Sequence, residues 1–182
     1  MSEPSSLSGW ESFYVIVGSS AGALTGLQFV VITLVAEMRA ATSMMVIHAF
    51  GTPTIVHLCM ALVISAILSA PWPTLAGADF ALGICGAVGV LYALNVVRRA
   101  RKSTDYKPDR EDWFWYVLLP IITYGVLLAA SLALTRNPGR WLYVVAAVAL
   151  LLLFIGIRNA WDTVTYIAVS RGRDKKQESP KS

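Results

Sequence analysis

The sequence predicts an all-α fold: a polytopic transmembrane helical bundle of five spans, with its N-terminus outside and its C-terminus cytoplasmic. Three observations predict it. The 182-residue chain is 56% hydrophobic and only 14% charged, where an ordinary soluble domain carries about 25% charged residues. Its mean hydropathy is +0.61, more apolar surface than one small core can hide. Apolar runs recur at about 13–36, 54–70, 80–97, 113–134 and 141–168, each long enough to cross about 30 Å of hydrocarbon at helical rise. Finally, the basic residues are unevenly placed. Arg98, Arg99, Arg101, Lys102, Lys107 and Arg110 crowd the third connection, and Arg171, Arg173, Lys175, Lys176 and Lys181 crowd the tail. Basic segments stay cytoplasmic; two spans separate these segments, so both fall on that side, and the count of five then puts the N-terminus outside.

The segment before the first span, "MSEPSSLSGWES", has no Lys or Arg and carries Glu3 and Glu11. A signal peptide has a basic start and a shorter apolar stretch, so the first run reads as a retained span. Within it, Gly18, Gly22 and Gly26 stand four residues apart. They form a row that drifts by about 80° around the helix. Ser19 and Ala23 stand beside the row, and Ala21, Thr25 and Gln28 flank its other edge. Glycine costs a soluble helix about 1 kcal/mol relative to alanine. In a membrane, a small face lets two helices approach closely. The partner is open between another span of this chain, a second copy in a homo-oligomer, and a conduction pathway. Gly83, Gly86 and Gly89 make the third span a candidate. Gln28, deep in the span, reads as interhelical glue.

Residues 38–50 read as a cytoplasmic connection. Thr52 followed by Pro53 reads as an N-cap and a first helical residue, which starts the second span there. A start near Met45 instead turns Pro53 into a kink and carries His57 to mid-membrane. Pro71 and Pro73 close this span around Trp72. Cys59 and Cys85 lie about 10 Å apart in depth at helical rise, too far for a disulfide. In the fourth span, Pro120 predicts a kink. Trp10, Trp72, Trp113, Trp115 and Trp141 stand at span ends, where amphipathic rings prefer to sit.

The last span ends in "IRNAWDTVTYIAV". Arg158, Asn159, Asp162, Thr163 and Tyr166 fall within about 140° of arc, opposite Ala160, Trp161 and Val164. Arg158 and Asp162, four apart, are placed to pair. This face is either a snorkelling helix end or the lining of a polar vestibule. Gln28 and His57 join it as a candidate polar cluster, and Glu37, Arg39, His48, Asn95 and Arg98 fall at a similar depth. Ionisable groups at such depth are functional-site candidates. Beyond Arg171 the basic tail, 171–182, reads as disordered.

No CxxC, HExxH, Walker-type loop or GxSxG occurs, and the His and carboxylate residues lack metal-ligand spacing. The sequence therefore assigns no cofactor, metal or catalytic residue. The net charge of +4 follows from topology and calls for no nucleic acid. The partners it implies are the lipid bilayer and either a second copy or another membrane protein.

The strings "SSAGALTGLQFVVITL", "TPTIVHLC" with "ISAILSAPW", and "IGIRNAWDTVTYI" resemble an uncharacterised bacterial family of small multi-spanning membrane proteins. The resemblance covers most of the chain. It implies a bacterial inner-membrane location and transfers no catalytic residue. The first functional reading is a non-enzymatic helix-packing component that binds itself, a partner or a ligand at its cytoplasmic end. A small channel or transporter subunit is the alternative, and an intramembrane enzyme comes third.

Overall fold

The computed structural model describes residues 7–36, 52–102 and 113–178, with side chains described over 7–33, 52–98 and 113–165. Among these residues, five helices are long and apolar enough to cross a membrane. They are α1 (Glu11–Ala36), entered through a 3-10 turn at Ser8–Trp10, α2 (Thr52–Ser69), α3 (Leu75–Lys102), α4 (Phe114–Ser131) and α5 (Pro138–Glu178). Large apolar side chains cover the outside, among them Ile16, Phe29, Phe80, Leu91 and Phe154. Water would not tolerate so much exposed apolar surface, and a bilayer does.

The helix ends follow local chemistry. Pro53 stands at the second residue of α2 and Pro138 at the first of α5, where a missing N–H costs nothing. Asn137 Oδ1 accepts from Arg140 N at 3.3 Å, an N-cap on α5. The turn after α2 is held by Trp72, whose indole Nε1 donates to Ile67 O at 2.6 Å. Its ring lies so close to Gly77 that an added Cβ would stand 2.5 Å from Cε3. Asp79 Oδ2 accepts from Thr135 N at 3.2 Å and ties the start of α3 to the α4–α5 turn.

Two helix pairs are built on glycine. A Cβ at Gly18 would meet Ser65 Cβ at 3.0 Å, and one at Gly22 would meet Leu62 Cδ1 at 3.2 Å, so α1 lies antiparallel on α2. A Cβ at Gly83 would meet Ser131 Oγ at 3.2 Å, one at Gly86 would meet Leu128 N at 2.8 Å, and one at Gly89 would enter the Tyr124 ring, so α3 lies antiparallel on α4. The first and third helices thus each take their own partner and do not take each other. α5 packs on α1, α2 and α4 and joins the pairs. There Gly156 admits Leu58, whose Cδ2 would stand 2.6 Å from an added Cβ.

One expectation is corrected and two are narrowed. Within this chain Gly26 is outside the seam: nothing lies within 4 Å of a Cβ built there. The buried stripe of α1 is Tyr14, Val17, Ala21 and Gln28, and the drift of the glycine row carries Gly26 out of it. Residues 171–178 are helical, because α5 runs to Glu178. Arg, Lys, Gln and Glu are good helix formers, and the next proline is Pro180. Pro120 sits where helical type changes, with π geometry over Phe114–Leu118 and α geometry from Leu119. Leu119 N–H donates to Phe114 O, five residues back, so the helix widens just before the proline.

The seam geometry predicts that Gly86→Ala destabilises the bundle by about 1–3 kcal/mol, since the new methyl meets main chain that cannot turn aside. Gly26→Ala should stay within about 0.5 kcal/mol of wild type. Thermal unfolding of the purified variants in detergent measures both.

Candidate functional site

Most small polar side chains in the bundle are satisfied by their own helix. Thr25 donates to Ala21 O, Ser65 to Ala61 O, Thr123 to Leu119 O, Ser131 to Leu128 O and Thr163 to Asn159 O, all at 2.7–2.9 Å. These hydroxyls join no helices through those bonds. A smaller set of polar groups remains for work between helices. Much of it gathers toward one end, where α3 carries Arg98 and α5 carries Arg158; it is called here the basic end.

His57 and Tyr124 are both fully buried. His57 Nδ1 and the Tyr124 hydroxyl share a hydrogen bond of 2.8 Å between α2 and α4. Tyr92 of α3 sets its ring edge-on to the imidazole at 6.3 Å. The Gly89 approach presses the Tyr124 ring into place. One polar contact thus crosses from the first glycine pair to the second.

The arc of α5 divides in two. Asn159 is 0% and Thr163 5% exposed, facing the interior. Both amide atoms of Asn159 are buried without a hydrogen-bond partner. The antiparallel registers set by Gly156 against Leu58 and Gly22 against Leu62 bring Asn159, Thr54 and Gln28 to one level. All three are buried. Arg158 and Asp162 instead line the α4–α5 seam. The Arg158 guanidinium pairs with Asp162 Oδ1, and the Tyr116 hydroxyl approaches Asp162 Oδ2 at 3.4 Å. Arg158 also lies over the Trp115 ring, 5.7 Å from its centroid, in cation–π range. Trp161 and Val164 point outward.

The structure therefore separates the predicted cluster. Arg158 and Asp162 meet each other; His57 meets Tyr124; Gln28 shares a level with Asn159. The side chain of Tyr166, and all of Glu37, Arg39 and His48, lie outside the described residues. Asn95 and Arg98 are exposed. No group of three His, Cys, Asp or Glu that could hold a metal ion occurs among the described residues. Sequence reasoning missed Tyr116 and Tyr124. One signal was available: Tyr124 follows Pro120 by four residues, as His57 follows Pro53.

Two substitutions test these contacts. Tyr124→Phe keeps the ring and leaves His57 Nδ1 buried without its partner, a loss of about 1–3 kcal/mol. Asp162→Ala should lower stability more than Asp162→Asn, because asparagine still accepts from Arg158 and Tyr116. Denaturation followed by circular dichroism in detergent ranks the variants.

Compared with protein-family models, with curated proteins and with solved structures, the chain has no match.

Proposed function

We propose that this chain is a non-enzymatic inner-membrane protein, N-terminus outside and C-terminus cytoplasmic, that binds a ligand or partner at its basic, cytoplasmic end. The observation that carries the reading is the Arg158–Asp162 pair with Tyr116 and Trp115 around it. It is a partly open polar site standing on a tightly packed apolar bundle. The positive-inside rule supports the orientation, since both basic segments belong to this end. Among the described residues, no imidazole meets a carboxylate there in the manner of acid–base catalysis.

The alternative, a channel or transporter subunit, draws on Asn159. Its unpartnered amide lies at the level of Gln28 inside the bundle, as a polar path through it would require. The close contacts at Gly156, Gly86 and Gly89 weigh against a wide path.

Two measurements separate the readings. Proteoliposomes holding the protein should pass ions and small solutes no faster than protein-free vesicles. In cells, a photo-crosslinking residue at Trp161, 69% exposed at the basic end, should give a discrete adduct, and one at Leu132, 72% exposed at the other end, should not. Protein-dependent flux would overturn the binding reading in favour of transport. Adducts from Leu132 alone would move the working end to the opposite side.

A further inference from the structure

A shallow groove of about 320 Å³ runs between α4 and α5, lined chiefly by Ile122 and Val126 on one side and Tyr143, Ala147, Val148 and Leu151 on the other. Its wall is almost wholly apolar, and it opens outward. Such a groove alone says only that lipid touches it. What lies at its end says more. Along α5, residues 143, 147 and 151 continue at helical spacing into Phe154, Arg158 and Asp162, all within about 100° of arc. Along α4, Val126 and Ile122 continue into Trp115, which meets Phe154 at 5.9 Å between ring centroids. The groove and the Arg158–Asp162 site are thus two parts of one seam. Arg158 stands seven residues beyond Leu151, about 10 Å at helical rise.

We propose that this seam binds one phospholipid with a zwitterionic, primary-ammonium headgroup, of the phosphatidylethanolamine class. The proposal rests on the binding reading above and names the ligand of that end. An acyl chain lies in the groove with its terminal part against Ile122, Ala147 and Val148. Running from Arg158 to Val148 takes ten residues, about 15 Å, or half the hydrocarbon thickness. A chain from the leaflet at the basic end therefore reaches the groove. The head meets one cation and one anion side by side. Arg158 donates to the phosphate, in the charge-assisted geometry that guanidinium favours. Asp162 accepts from the ammonium. Their side chains are 28% and 30% exposed, so both are reachable without unfolding anything. The pair is neutral, so a purely anionic head gains no net attraction from it. A choline head has no N–H to give Asp162.

The test uses full-length protein in nanodiscs of equal parts phosphatidylethanolamine, phosphatidylglycerol and phosphatidylcholine. After transfer to mild detergent, native mass spectrometry counts the lipids that stay bound. Phosphatidylethanolamine should be retained over each competitor by about tenfold, as one charge-assisted contact implies. Arg158→Gln with Asp162→Asn should erase the preference. Ala147→Phe, a change on the exposed wall of the groove, should lower retention of the lipid while circular dichroism and thermal stability stay at wild-type values. Equal retention of the three lipids, preference for phosphatidylglycerol, or undiminished retention by Ala147→Phe would each overturn the proposal, whether or not the double variant folds. A lipid result of that kind alongside the Trp161 adduct leaves the binding reading standing. Solute flux removes that reading whatever the lipid result.

Discussion

Close approach of helix backbones is the constraint on which the rest of this structure depends. Between apolar helices in lipid no hydrophobic force operates, and association rests on dispersion and weak hydrogen bonds that fade quickly with distance. At Gly86 and at Gly156 a single added methyl would collide with the facing helix. These two close approaches therefore depend on an absent side chain. The register follows from the same contacts. Gly18 on Ser65 and Gly22 on Leu62 set α1 against α2; Gly83 on Ser131 and Gly86 on Leu128 set α3 against α4. With those depths fixed, His57 arrives at Tyr124, and Asn159 arrives level with Thr54 and Gln28.

The polar groups divide along the same lines. Hydroxyls that bond their own helix make no hydrogen bond between helices, and Ser65 and Ser131 serve the glycine seams as small packing side chains. His57 and Tyr124, in contrast, spend their bond between helices that otherwise touch little. Such a buried bond is costly to break, because the partner left behind cannot reach water. The Arg158–Asp162 pair is different again. Its side chains are partly open, so the pair itself adds little stability. What suits it to the binding proposed above is its exposure, its opposite charges and the aromatic ring beneath the guanidinium.

The sequence made the fold legible because the bilayer restricts the choices. Five apolar runs in a chain without strand alternation leave helices as the spanning elements, and five such helices are there. The arrangement of those helices was not legible. The glycines of the first and third helices look alike, and nothing in a one-dimensional pattern says whether they face each other or separate neighbours. The polar arc of α5 was visible, yet its division was not: Asn159 and Asp162 are neighbours on the helix and face different surroundings. Tyr124 and Tyr116 escaped notice because a tyrosine in a membrane span reads first as an interfacial ring. Only the tertiary contact gives its hydroxyl a role.

The pairing of the glycine seams is most directly measured by disulfide trapping in native membranes. With Cys59 and Cys85 replaced by alanine, the double substitution Gly18→Cys and Ser65→Cys places two thiols on carbons that approach to 3.0 Å when a Cβ is built at residue 18. Modest relaxation brings them to disulfide range, about 3.5–4.5 Å between Cβ atoms. The account predicts rapid, complete, intramolecular cross-linking of this pair under mild oxidation, and none between Gly18→Cys and Gly83→Cys. Cross-linking of residues 18 and 83, with 18 and 65 remaining reduced, would contradict the account at its foundation.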